Sequence, residues 1–238
     1  MPIYESKERP PVHSSIYNFV DHLIPYLLSN TSPERSLALV IADRNNDYIS
    51  TAPIIYYNIE QLTRKTEFNR VIDRLHEGDI IEIWDYSTAN IKILHNAGFT
   101  NVRHVPVSTI PETVTSLSTL YQSSHPVFDL AFCGAISPRR QTMLDSLIER
   151  GVTINIISNS TKMKWGIERD REIARCRALL NIHFADDYTV FESVRCDPWV
   201  SAGMPVITET SIDDDSRCAV IAPYGELVER TIEFLRRA

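Results

Sequence analysis

Two stretches of this chain concentrate residues able to do chemistry. In "CGAISPRR" (133–140) an apolar run ends at Cys133, Gly134 permits a tight turn, Ser137-Pro138 opens a helix, and Arg139 and Arg140 follow at once. Free backbone N–H groups and the helix dipole at such a turn attract an anion, and a guanidinium presents paired donors that match phosphate oxygens. The same residues also make a well-capped helix with two solvated arginines. In "FESVRCDPWVSAGMPVITE" (191–209) Glu192 and Arg195 sit one helical turn apart, ahead of Gly203 and a short apolar run closed by Glu209. Thr189 and Glu192 have capping-box spacing, and Arg195 can pair with Glu192 at i, i+3. The competing role for Glu192 is to accept hydrogen bonds from ligand hydroxyls, with Arg195 orienting it or contacting phosphate. Asp197-Pro198 reads as a second helix start, which would divide the segment into two short helical pieces.

Such residues need a scaffold, and the hydrophobic pattern supplies one. Apolar runs at 36–43, 53–58, 79–86 and 102–107 read as strands, with helical stretches at about 60–75 and 87–98 between them. Ser87 is the expected N-cap and Gly98 the expected stop of the second of these helices. An earlier helix is expected over 14–30, kinked at Pro25. Residues 108–127 lack strong periodicity and are expected to be a linker or short helix. Strands follow at 127–134, 153–158, 178–184, 205–209 and 219–224, with helices at 137–151, about 165–177 and from Gly225 to the end. Apolar strands alternating with helices indicate parallel sheets covered on both faces, which place ligands at the carboxyl ends of the strands. The expected architecture is α/β: two small Rossmann-like doubly wound domains, 1–125 and 126–238, with a cleft between them.

The bulk properties narrow the function. The 238 residues carry a net charge of −7 and no basic run, so a nucleic-acid partner is not expected. An anionic ligand would have to be held by a few local arginines. Cys133, Cys176, Cys196 and Cys218 fit no zinc spacing and are expected to be reduced thiols. No apolar run has the length of a membrane helix and the start does not resemble a signal peptide, so a cytoplasmic location is expected. The acidic run "SIDDDS" (211–216) could tempt a metal assignment, but a solvated turn is expected and no metal is assigned. No G-x-G-x-x-G follows any strand, which argues against a dinucleotide oxidoreductase. Asp43, Glu60 and Asp85 are the carboxylates near strand ends in the front half; one of them could act as a base, or each could be a cap or turn residue.

Taken together, "FCGAISPRRQTMLDSLIERG" and "LLNIHFADDYTVFESVRCDPWVSAGMPVITETSIDD" resemble the donor-binding domain of GT-B glycosyltransferases, in particular the compact ones of large DNA viruses, algae and bacteria. The likeness covers roughly residues 127–215. "YYNIEQL" and "WDYSTANIKIL" are similar, less specifically, to the acceptor half. The resemblance implies a hexosyl- or pentosyltransferase that takes a nucleoside diphosphate sugar and passes the sugar to a hydroxyl of a glycan or glycoprotein, without cofactor or metal. It implies that Gly134, Ser137 and Arg139 surround the diphosphate, with Arg140 the alternative arginine, and that His183 faces the sugar or a phosphate. It places Glu192 on ribose or sugar hydroxyls with Arg195 in support, and Gly203 in close backbone approach to the ligand, where the residue by itself would equally be a helix stop; if the enzyme inverts, Asp43, Glu60 or Asp85 is the candidate base. Where larger members of the fold carry a second carboxylate before the glycine, this chain has Pro198, so Glu192 would act alone or with Glu209. The alternative is a non-catalytic nucleotide- or sugar-binding module.

Overall fold

The computed structural model describes residues 38–41, 53–77, 79–106, 111–158, 166–213 and 217–237. These form two compact units that part between Ser108 and Thr109. The predicted helix at 14–30 and Asp43 lie outside the described residues.

The first unit holds strands β1 (Ala38–Ile41), β2 (Ile54–Asn58), β3 (Ile80–Asp85) and β4 (Val102–His104), parallel and adjacent in chain order. Helices α1 (Lys65–Glu77) and α2 (Thr88–Asn96) follow β2 and β3. Every residue of β2 is buried, as expected for a strand covered on both faces. Val71 and Leu75 of α1 and Leu94 of α2 share one apolar cluster with Ile54, Tyr56 and Ile83.

The second unit is a five-stranded parallel sheet of β5 (Phe128–Cys133), β6 (Ile154–Ile157), β7 (Cys176–Asn181), β8 (Val206–Glu209) and β9 (Val220–Ala222). Its helices are α3 (Pro111–Ser123), α4 (Pro138–Glu149), α5 (Ile167–Ala174), α6 (Ser193–Ser201) and α7 (Tyr224–Arg237). Alternate residues of the central strands face opposite layers. Ala131, Cys133, Leu179 and Val206 join the cluster containing Leu117 of α3, Ile173 of α5 and Trp199 of α6. Leu130, Phe132, Ala178, Leu180 and Ile207 join Leu144 of α4 and Leu227 of α7. The order β6-β5-β7-β8-β9 reverses direction at β5: the chain steps to β6 on one side, then crosses to β7 on the other. In open parallel sheets such a reversal leaves a crevice at the strands' carboxyl ends, where ligands bind. Both units are thus Rossmann-like in general kind, but only the second shows a reversal among its described strands.

Three local expectations change. Of the two expectations for this stretch, a linker or a short helix, the helix is found, and it is longer than expected, 13 residues over Pro111–Ser123. The run is rich in Ser and Thr, which favour helices weakly, but Pro111 suits a first turn. Leu117, Leu120 and Tyr121 recur at helical spacing against the second unit's core, and the Tyr121 hydroxyl donates to the Arg177 carbonyl at 3.0 Å. The helix therefore belongs with the second unit, where the sequence placed the boundary at 125/126. The charged helix expected over 165–177 is shorter, because Cys176 already starts β7. Finally, α6 runs unbroken through Pro198, and Asp197 pairs with Arg217 at 3.0 Å in place of capping a second helix. No helix among the described residues is long and apolar enough to cross a membrane.

If α3 belongs to this core, Leu117→Ala should cost about 3 kcal/mol, the range for emptying a buried leucine site. Denaturant unfolding measures it; a loss near zero would place α3 outside the cooperative core.

Candidate functional site

The second unit's reversal point is built from the ends of β5 and β7. Gly134 follows β5 at φ 150°, and its N–H donates to the Ile157 carbonyl at 3.0 Å. A Cβ at Gly134 would lie 3.2 Å from both Arg140 Nη1 and Arg195 Nη2, so the missing side chain lets guanidiniums from α4 and α6 converge on one spot. Ser137 is the N-cap of α4: its Oγ accepts from the Arg140 N–H at 3.2 Å and donates to the Phe184 carbonyl at 2.6 Å.

Arg140 is only 2% exposed. Its Nε donates to the Ile182 carbonyl at 2.8 Å, Nη1 to the Ala135 carbonyl at 2.9 Å and Nη2 to Glu192 Oε1 at 3.2 Å. The rings of Phe132 and Phe184 lie 5.5 and 5.4 Å from the guanidinium carbon. Arg195 pairs with Glu192 Oε2 at 2.9 Å and donates from Nη1 to Asn181 Oδ1 at 3.2 Å. Two cations thus share one carboxylate, and their other acceptors are neutral. An arginine carries five N–H donors, so both retain uncommitted ones. Burial, then repulsion from Arg195, brings the Arg140 pKa down to about 10. Burial would raise the Glu192 carboxyl, but Arg195, Arg140 and His183 outweigh it and hold Glu192 below the ordinary glutamate range.

Arg139 is placed differently. Its Nε meets Asp186 Oδ1 at 2.7 Å, Nη1 meets Glu209 Oε2 at 2.7 Å, and Nη2 donates to Glu209 Oε1. Its guanidinium stacks 3.8 Å from the Tyr224 ring centroid, and the Tyr224 hydroxyl donates to the Arg139 carbonyl at 2.8 Å. The charge expected for a diphosphate is therefore already matched by carboxylates. Glu209 also accepts from the His183 backbone N–H at 3.1 Å, so the network ties α4, β8, α7 and the loop after β7 together. His183 is buried; its Nε2 lies 3.2 Å from the Thr210 carbonyl and 3.2 Å from Ser211 Oγ. A carbonyl only accepts, so Nε2 carries the hydrogen in that bond.

The loop after β8 sets Glu192. Ile212 N–H donates to the Thr189 carbonyl and Phe191 N–H to Asp213 Oδ1, each at 2.8 Å. Glu192 itself is the N-cap residue of α6 and makes no side-chain cap bond, so the capping box suggested by Thr189 is not formed. Its carboxylate turns to the arginines instead. Ile212 and Asp213 stand in a turn, as expected for this run, and Asp213 also accepts from the backbone there; Asp214 and Asp215 lie outside the described residues. Among the described residues no group of His, Cys, Asp and Glu could hold a metal ion.

Gly134, Ser137, Arg139, Arg140, His183, Glu192, Arg195 and Glu209 therefore gather at one end of one sheet. Gly203 does not. It stops α6 at φ 86°, its N–H donates to the Val200 carbonyl at 3.1 Å, and an added Cβ would touch nothing within 4 Å. It precedes β8 and so lies at the far end of α6 from Glu192. Of the two readings of Gly203, ligand approach from the resemblance and a helix stop, the backbone shows the helix stop. Asp85 lies in the first unit, fully buried at the end of β3. Its Oδ2 accepts from Asn58 Nδ2 at 2.6 Å, and its Oδ1 from Ser87 N–H at 2.8 Å and Asn90 Nδ2 at 3.1 Å. Ser87 caps α2 as expected, and Glu60 pairs with Arg70 at 3.4 Å. Sequence reasoning missed Asn58 and Asn90, whose one signal was an amide at an apolar strand end and another inside an amphipathic helix.

No family model matches the chain. No solved structure matches it either. Similar sequences occur in Acanthamoeba polyphaga mimivirus. One uncharacterized protein of that virus is 39% identical over 187 residues, covering 76% of this chain and 59% of the viral protein. A second is 36% identical over 228 residues, covering 92% of this chain and 30% of the relative, and a third is 34% identical over 185 residues, covering 75% and 20%. The chain thus spans less than two thirds of each of these relatives.

A depressed carboxyl pKa stabilises the fold above the ordinary glutamate value and loses that contribution as pH falls through the folded-state value. Wild-type protein should therefore lose stability from about pH 4.3 downward in part through Glu192. In Glu192→Gln that component is absent, and the acid limb of a denaturant-midpoint profile should be shallower. Superimposable acid limbs would contradict the pairing of Glu192 with Arg140 and Arg195.

Proposed function

We propose that the second unit binds a nucleoside diphosphate sugar and that the protein transfers the sugar to a hydroxyl acceptor, a glycan or glycoprotein. The observation that carries this is the pair Arg140–Arg195, converging on Gly134 at the reversal point with one carboxylate between them. Excess positive charge in a partly dehydrated site favours an anion, and the position is where parallel sheets hold nucleotides. In this reading a diphosphate accepts from the N–H groups that both arginines leave uncommitted. In transfer, the bond from the anomeric carbon to the phosphate oxygen breaks and its electron pair leaves with the diphosphate. The acceptor oxygen bonds to the same carbon, and its proton passes to a base or to water. Charge builds on the leaving diphosphate, which fixed guanidiniums stabilise without reorganising. They supply the neutralisation that a divalent ion supplies elsewhere, so the reading includes metal independence.

In this reading Glu192 holds both guanidiniums in place beside the sugar, and Arg139 with Glu209 braces the pocket. Asp85, closed in by Asn58, Asn90 and Ser87, maintains the strand ends of the first unit and is not the base. The two-domain GT-B arrangement, with the first unit on the acceptor side, is part of the proposal, as is a cytoplasmic site of action. Support comes from the placement of the arginines and from the resemblance of residues 127–215 to donor-binding domains.

Wild-type protein in chelator should bind a nucleoside diphosphate, and Arg195→Ala should weaken binding about 10- to 100-fold, the loss of a charge-assisted hydrogen bond of about 1.5–3 kcal/mol. Calorimetric titration measures this, and release of labelled sugar from the cognate donor measures transfer. Binding without transfer or donor hydrolysis would favour a non-catalytic module. Binding or turnover that requires added magnesium or manganese would overturn the arginine-based reading.

A further inference from the structure

The two guanidiniums of the proposed donor site are held mostly by groups that carry no charge. Arg140 rests on the carbonyls of Ile182 and Ala135. Arg195 rests on the side-chain oxygen of Asn181, a residue with no solvent exposure. Arg140 and Arg195 share the single carboxylate of Glu192, whereas Arg139 alone is matched by two, Glu209 and Asp186. We propose that Asn181 is a positioning residue for Arg195: it fixes the guanidinium beside Gly134 while leaving its charge available to an anionic ligand. This rests on the donor-site reading for the identity of the anion as a diphosphate.

The hydrogen bonds define the orientation of the Asn181 amide. Asn181 and Thr208 are register partners on β7 and β8. The Thr208 hydroxyl donates to the Glu209 carbonyl at 3.0 Å, so toward Asn181 it can only accept. It does so from Asn181 Nδ2 at 3.1 Å. The other end of the amide must then be the oxygen, and it faces Arg195, which can only donate. A flipped amide would set donor against donor at Arg195 and acceptor against acceptor at Thr208. The strand pair thus presents one neutral acceptor at the crevice in a single orientation. Serine is too short to span the same gap to Arg195, and aspartate, of the same size, would neutralise the cation it holds.

That last comparison is the test. Asn181→Asp keeps shape and an acceptor for Arg195 but removes the net positive charge of the group. Asn181→Ala keeps the charge and removes the support. Inorganic pyrophosphate in chelator is the probe, titrated at two ionic strengths, and phenylglyoxal labelling of Arg195, followed by peptide mass spectrometry, reports how firmly the guanidinium is held. Wild type is expected to bind pyrophosphate with salt-dependent affinity. Asn181→Asp should bind at least about 10-fold more weakly with a flatter salt dependence, Arg195 being labelled more slowly than in wild type. In Asn181→Ala, Arg195 should be labelled faster and affinity should also fall. Wild-type affinity and unchanged Arg195 labelling in both variants would overturn the positioning role. If wild type ignores pyrophosphate while labelling still shifts in these opposite directions, the donor-site reading falls and the positioning of Arg195 by Asn181 stands.

Discussion

Glu192 shared between Arg140 and Arg195 is the interaction on which the second unit's crevice depends. Two guanidiniums that meet at one glycine repel each other, and burial amplifies the repulsion. A single carboxylate bridging them with separate oxygens makes the arrangement tolerable without cancelling it. The rest of the local structure follows from keeping the three groups together. Gly134 has no side chain because a Cβ would crowd both arginines. Ser137 starts α4 where Arg140 can turn inward beneath the end of β7. The loop after β8 clamps residues 189–191, which starts α6 at the position that brings Glu192 and Arg195 onto the same spot. The aromatic rings of Phe132 and Phe184 lie beside the buried Arg140 guanidinium.

Much of the scaffold could be read from the chain. Strands covered on both faces are continuous apolar runs, and each of the nine expected strand positions with described residues carries a strand. What escaped were features whose cause lies outside the local pattern. The helix α3 has a Ser/Thr-rich surface and shows its identity only through Leu117, Leu120 and Tyr121, which need the second unit's core to give them meaning. Pro198 looked like a helix start because a proline inside a helix is normally excluded, yet tertiary packing of Cys196 and Trp199 carries α6 through it.

The candidate site was legible in its members more than in their division of labour. "SPRR" announces an anion-compatible turn, but adjacent helical residues point about 100° apart, so two neighbouring arginines cannot share one task. Arg139 faces β8 and is neutralised by Glu209, while Arg140 faces the buried crevice; no local rule distinguishes them. Glu192 is spaced from Thr189 for a capping box and from Arg195 for an ion pair, and only the path of the loop before α6 decides for the ion pair. Gly203 shows the opposite case, where a family pattern suggested ligand contact and the backbone needs nothing but a helix stop. Asn181 is visible in the sequence as a polar residue ending an apolar strand, yet its partner Thr208 lies 27 positions away and becomes a neighbour only through strand register.

The central claim is that Arg140 and Arg195 together hold an anion at the reversal point of the second sheet. A crystal structure of the full chain grown with a nucleoside diphosphate in the presence of chelator tests it most directly. The account predicts phosphate oxygens within hydrogen-bond distance of both guanidiniums beside Gly134, with Arg139 still paired to Glu209. A nucleotide bound away from Gly134, or phosphates held by Arg139 while Arg140 and Arg195 contact only Glu192, would contradict it.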